Sequence, residues 1–243
     1  RLGQGIGDDS TVELSGLTIR YAPVASLFTW RPVIALNLEG TNVRLRANQD
    51  GSYWYIPTSN EKNPNIGLLV RLKDPAQIFL QPSNLELKVT SDIFLNLQKN
   101  KVAGTFELHQ PNSGSLFLKG SGYWDRLELR ARARLQKFNL GPLKNLFFVN
   151  SEIKAIGQLN GDLRLNASDG IIGCKGGISL ADLSLNGGVL NDSLSTKHAG
   201  IRCSNQKFFL PLSHWRYGPT LTTMDGEIDL QNKRDFHLDL RST

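Results

Sequence analysis

The chain has 243 residues, 40% apolar and 21% charged, with a net charge of +6. That length buries a full core, that balance excludes a disordered chain, and no apolar run approaches the ~20 residues of a membrane-spanning helix. The positive charge permits contact with anionic partners without choosing among them.

The chain opens at Arg1 without a Met, and its last stretch, "FHLDLRST", stops inside a strand pattern; both ends read as cuts from something longer. "GQGIG" at Gly3 to Gly7 has neither a strand before it nor a convincing helix after it, so it makes a poor phosphate cradle. "PVASLFTW" predicts a short helical turn. From Val43 to Ala47 every second residue is apolar, and Asn48-Gln49-Asp50-Gly51 reads as a hairpin turn. Tyr53-Trp54-Tyr55 follows as the returning strand, with Trp54 packing to close the N-terminal end of a groove rather than binding a specific ligand. Asn60 to Gly67 is the most loop-like stretch, dividing an N-terminal hairpin unit (1–60) from a continuous β-groove (61–243).

Beyond it the dominant signal is period two. Leu85, Leu87 and Val89 alternate with Glu86 and Lys88; Ile93, Leu95 and Leu97 alternate with Phe94 and Asn96; Phe106 and Leu108 follow. Leu127, Leu129, Ala131, Ala133 and Leu135 alternate with Glu128, Arg130, Arg132 and Arg134, and Leu163 with Leu165 continues the pattern. Strict alternation means strands with one apolar and one polar face. Asn160-Gly161, Asn186-Gly187-Gly188 and Asp225-Gly226 read as turns. Helical signal is scarce; "LGPLKNLFFV", with Pro142 at a first helical position, is the second candidate for a short turn. The expectation is an all-β fold with one or two short helical turns, in which either two sheets form a sandwich or one long sheet curls around its own apolar face. A curled sheet left partly open exposes an apolar channel, which needs a greasy occupant.

Chemistry-bearing constellations are sparse. The four histidines, His109, His198, His214 and His237, have no metal-ligand spacing, and neither a nucleophile elbow nor a P-loop is present. No catalytic residue, metal or cofactor is therefore expected, and the chain reads as non-enzymatic. A polysaccharide-acting β-helix with Trp54 and Trp124 as sugar platforms would need a tight acidic cluster, which the sequence lacks. Cys174 and Cys203 lie in separate strand-like runs without CxxC spacing. Pairing in an oxidising compartment stays open, with two free thiols the reading preferred. Arg130, Arg132 and Arg134 project together, with Arg126 nearby. They form either a docking strip for anionic headgroups or an acidic partner, or, as the plainer reading has it, a solvated outer face that keeps the sheet soluble.

The order of these weak motifs resembles the TamB family of the AsmA-like clan, in its cyanobacterial and chloroplast inner-envelope branch. The resemblance begins in "STVELSGLTIRYAPVASLFTWRPVIALNLEGTNVRLRANQDGSYW". There a strand (Val12–Tyr21), a short segment ending in a basic residue (Leu27–Arg31) and two alternating strands (Val33–Leu38, Thr41–Ala47) precede an Asp50-Gly51 turn. Trp54 stands one place later than the family pattern has it. It continues in "GTFELHQPNSGSLFLKGSGYWDRLELRARARLQKFNLGPLKNLF", in "GQLNGDLRLN", from Gly187 to Gly200 and in "FFLPLSHWRYGPTLTTMDGEIDL", so it spans nearly the whole chain.

What the resemblance implies is a long curled, taco-like β-sheet with an apolar interior, as a membrane-proximal, N-terminal portion of a bridge-like lipid transfer protein in the periplasm or the intermembrane space of the chloroplast envelope. The full-length chain would be held in the inner membrane by a missing N-terminal anchor. A missing C-terminal region would meet an Omp85-type outer-membrane barrel. Phospholipid would pass along the groove; the alternative is a scaffold for outer-membrane protein assembly or protein translocation, and no nucleic acid partner is expected. Roughly fifteen strands stacked at ~4.8 Å would extend about 70 Å. The lane would be lined by Leu85, Leu87, Val89, Leu95, Leu97, Phe106, Leu108, Leu127, Leu129, Leu163 and Leu165, with Arg130, Arg132 and Arg134 outside. A charge in the lane, Leu129→Asp, is expected to impair transport more than Arg132→Asp.

Overall fold

A computed structural model of the chain describes residues 10–46, 64–81, 85–111, 114–123, 125–126, 128–141, 154–168, 171–188, 190–229 and 236–242. It is an all-β protein, as the alternation predicts. The described residues form β1 (Thr11–Glu13), β2 (Gly16–Tyr21), α1 (Pro23–Thr29), β3 (Val33–Glu39), β4 (Asn42–Arg46), β5 (Gly67–Leu72), β6 (Ala76–Gln81), β7 (Leu85–Asn96), β8 (Lys101–His109) and β9 (Ser115–Tyr123). The chain continues with β10 (Glu128–Asn139), β11 (Lys154–Ser168), β12 (Ile171–Gly187), β13 (Leu190–Asn205), β14 (Lys207–Tyr217), β15 (Thr220–Asp229) and β16 (Phe236–Ser242). The "PVASLFTW" turn is α1. The hairpin turn at Asn48–Gly51 and its aromatic cluster, Trp124, Leu127 and Pro142 to Asn150 lie outside the described residues.

The chain divides into two compact units, Arg1–Pro111 with Phe117–Glu128, and Asn112–Leu116 with Leu129–Thr243. In the first, β3 and β4 are one strand broken at Gly40, whose φ of +53° suits glycine. β5 and β6 are likewise broken, at Lys73 to Pro75. The two broken strands run parallel, β3 on β5 and β4 on β6. Parallel neighbours need a long crossover, and this one falls in residues 47–63, outside the description. β7, at 12 residues, is long enough for one edge to take β6 and β5 end to end, while its other edge takes β8.

The second unit is simpler: β10 to β16 pair antiparallel in sequence order. Their alternation is not uniform. Apolar or buried residues step by three rather than two at Leu135–Phe138, Leu180–Leu183, Thr196–Ala199 and Leu210–Ser213, on β10, β12, β13 and β14. β-Bulges account for the steps on β10 and β14, and Asp182, at φ 48°, marks the one on β12. Bulges keep the apolar side chains on one face while bending the strand. Gly176, at φ +129°, lies opposite Leu163 and Cys203. A Cβ there would collide with the backbone carbonyl of Asp162, so Gly176→Ala is expected to cost about 2 kcal/mol in urea unfolding.

Candidate functional site

Register, more than any single residue, builds the site. In the first unit Val12, Val43, Ile78 and Leu87 lie opposite one another across β1, β4, β6 and β7. Val102, Leu95, Leu68, Ile34 and Tyr21 do the same across β8, β7, β5, β3 and β2. Because Leu87 and Leu95 share parity on β7, both rows belong to one face. Leu87 and Val89 are buried. Leu68, Val70, Ile93, Leu95, Val102, Phe106 and Leu108 are only half-buried. A face packed against a second layer would bury them. The opposite face carries Lys88, Asp92 and Arg71, with Arg71 Nε donating to Asp92 Oδ1 at 2.9 Å.

The second unit repeats the arrangement. One row runs Ala133, Leu163, Gly176, Cys203, Phe208 and Ile228 across β10 to β15, ending opposite Phe236 on β16. A second joins Phe138, Leu159, Leu180 and Ala199. Trp215 anchors the core formed by Leu180, Leu183, Ala199 and Met224. Its Nε1 donates to Ser213 Oγ at 2.8 Å. Thr196 Oγ1 donates to the His214 carbonyl at 2.8 Å, where β13 and β14 lose their regular pairing. These hydroxyls place polar atoms in the apolar layer with their bonds satisfied. A cleft of about 630 Å³, lined in part by Lys197, His198, His214 and Trp215, opens at the same gap.

The predicted lane residues fall into several places. Leu87, Val89, Leu95, Phe106 and Leu108 share the face of the first unit, and Leu163 and Leu165 that of the second. Leu85 stands at the start of β7, with its side chain outside the description, and Leu127 lies outside it altogether. Leu97 falls in the turn after β7, its N–H donating to the Ile66 carbonyl at 3.2 Å. Leu129 pairs with Ala167 but is 42% exposed, so Leu165 is the sharper lane position. The lane read from sequence leaves out Leu180, Leu183, Phe208, Trp215 and Met224; the three-residue steps on β12 and β14 break the alternation that would join Leu180 to Leu183 and Phe208 to Trp215.

Two expectations are corrected: Asn160-Gly161 and Asp225-Gly226, read as turns, lie inside β11 and β15 because their strands run on through them, and the free-thiol reading fails. Cys174 and Cys203 are a disulfide, with Cα atoms 5.6 Å apart, not free thiols. Spacing in the chain could not show this. The β12–β13 register sets Cys203 opposite Gly176, two residues from Cys174, and the absence of a side chain at Gly176 leaves that diagonal open. The disulfide packs with Leu163, Leu165, Ile178 and Phe208 inside the apolar layer.

Arg130, Arg132 and Arg134 do project together from β10, all exposed. Arg132 Nε donates to Asp162 Oδ1 at 2.8 Å, and Arg134 shares that carboxylate at 3.6 Å. The Arg132 hydrogen bond holds the Asp162 carboxyl below its ordinary value. Its contribution to stability is present at neutral pH and fades as acid protonates Asp162 below the usual carboxylate range. Arg126 instead lies over the Tyr123 ring at 4.0 Å and pairs with Glu128. Across the strands Arg132, Arg164 and Lys175 stand directly opposite one another. Like charges in that relation repel. Arg164→Glu is therefore expected to raise the melting temperature by about 1–2 °C, an increment that shrinks in high salt.

Fold and site define an all-β protein whose sheet carries an aligned apolar face in each unit, half-buried along much of the first and largely buried around Trp215 and the disulfide in the second, opposite a charged face. No family model, curated protein or solved structure matches the chain. Among the described residues no helix is long and apolar enough to cross a membrane, and no group of three metal-ligating side chains converges.

Proposed function

We propose that this chain is a non-enzymatic segment of an inter-membrane bridge that conducts phospholipid along its apolar β-face toward an outer membrane, as the resemblance to the TamB family suggests. The observation that carries the reading is the half-burial of the aligned Leu, Val, Ile and Phe side chains of the first unit: the one described helix, α1, is seven residues long and cannot cover them. Acyl chains laid on that face gain about 0.8 kcal/mol per methylene kept from water. The disulfide agrees with an oxidising compartment such as the periplasm. The full-length protein would be anchored in the inner membrane and meet an outer-membrane barrel through regions beyond this segment.

Native mass spectrometry with lipid extraction tests the proposal on the purified chain. Co-purifying phospholipid is the expected result; a stable, lipid-free protein counts against it. A second reading, a scaffold receiving client strands in outer-membrane protein assembly or translocation, has one observation in its favour: among the described residues β2 pairs only with β3, an edge suited to β-augmentation. Photo-crosslinks from β2 to a client peptide, with none to lipid, would select it.

A further inference from the structure

We propose that the β2–α1 tip of the first unit is a membrane-contact surface that seats in the headgroup layer of an anionic phospholipid bilayer. The tip inverts the usual placement of side chains. In α1 the polar Ser26 is buried, while Val24, Leu27 and Phe28, at i, i+3 and i+4 on one side of the helix, face solvent. Phe28 is 80% exposed, and Trp30, in the left-handed cap that ends the helix, is 88% exposed. A helix on a water-soluble surface shows the opposite arrangement. Immediately before it, Leu17, Ile19 and Tyr21 alternate on one face of β2 and are exposed as well. Other exposed large apolar side chains, such as Ile156, Leu212 and Leu221, are scattered along the chain.

The inversion is held in place. Ser26 Oγ donates to the Ala22 carbonyl at 2.8 Å and accepts from the Val33 N–H at 2.9 Å. Thr29 Oγ1 donates to the Ala25 carbonyl at 2.7 Å, and Arg31 Nε donates to the Thr29 carbonyl at 3.3 Å. The Val33 N–H to Ser26 Oγ bond thus ties the polar side of α1 to β3, which turns its apolar side outward.

Charge selects a bilayer over a protein groove or a second copy. From Leu14 to Leu38 the chain has no acidic residue and two arginines, Arg20 and Arg31. Two tips of this kind repel, whereas an anionic headgroup plane attracts them. Trp30 and Tyr21 have rings suited to the membrane–water interface, and Leu27 and Phe28 supply the apolar area that would enter it. Tyr21 also ends an apolar row of the first unit, but the α1 side chains and Trp30 belong to no row, and the second unit's lane residues take no part, so substitutions at Leu165 and in α1 separate carriage from contact.

Flotation of the full chain with phosphatidylcholine vesicles, with and without phosphatidylglycerol, tests the inference. The wild-type chain is expected to float with the anionic vesicles and to lose that binding as salt is raised. Leu27→Ser/Phe28→Ser/Trp30→Ser is expected to lower partitioning about tenfold or more while leaving the melting temperature unchanged, because the side chains removed are exposed. Arg20→Glu weakens binding to anionic vesicles alone. Leu165→Asp, which tests carriage, should float like the wild type, so failure of the docking surface and failure of the lane are told apart. A wild-type chain that stays at the bottom, or a triple variant that floats as well as the wild type, overturns the proposal. So does concentration-dependent dimerisation abolished by the triple substitution without vesicle binding, which would make the occupant a second copy.

Discussion

Leu165→Asp is expected to strip phospholipid from the purified chain, while Arg132→Asp leaves it bound. Leu165 lies opposite Ala131 and Cys174 on the apolar face and is half-buried. If phospholipid lies on this face as proposed, a carboxylate there would meet acyl methylenes on one side and the disulfide layer on the other. An ionised group without a partner in such a setting costs several kcal/mol once lipid excludes water. Lipid retention should therefore fall at least about tenfold, a change worth about 1.4 kcal/mol. The apo fold loses less, about 1–2 kcal/mol, because water still reaches the site. Arg132 sits on the other face of the sheet, paired with Asp162, and its replacement breaks an exposed ion pair without touching the lane. Phe106→Asp makes the same comparison in the first unit. Phospholipid per protein, read beside a melting curve, decides it: equal loss in the lane and outer-face variants would sink the idea of a lipid lane.

The disulfide gives the largest expected change in stability. Cys174 and Cys203 are 29 residues apart and close a loop containing the β12–β13 hairpin. A loop of that length restricts the unfolded chain by about 3–4 kcal/mol. Cys203→Ser should lose most of that in urea unfolding, and the wild-type chain with reductant should fall to nearly the same midpoint. If reductant moves the midpoint of the wild type no more than that of Cys203→Ser, the pair contributes nothing to folding. Since the bridge packs against Leu163 and Phe208, its loss should also loosen the lane, seen as faster amide exchange at β12 and β13.

The alternation of Leu85 to Val89, of Phe106 with Leu108 and of Leu163 with Leu165 was enough, by itself, to determine an all-β chain with one apolar face. Side-chain direction in a strand is a local property with a period of two, readable without knowing the neighbours. The short helical turn expected at "PVASLFTW" is α1, a single local element that needs no distant partner to form. What the sequence could not determine is register. Whether Cys203 reaches Cys174, whether Arg132, Arg164 and Lys175 stand in one repelling row, and whether Leu180 and Leu183 share a face across a bulge all depend on which residues meet from strands far apart in the chain. Nor could it say which side of α1 would be exposed, since Ser26 is drawn inward by the backbone N–H of Val33, which only the tertiary structure places beside it. Patterning decides which face of each strand is apolar; long-range pairing decides what those faces hold together.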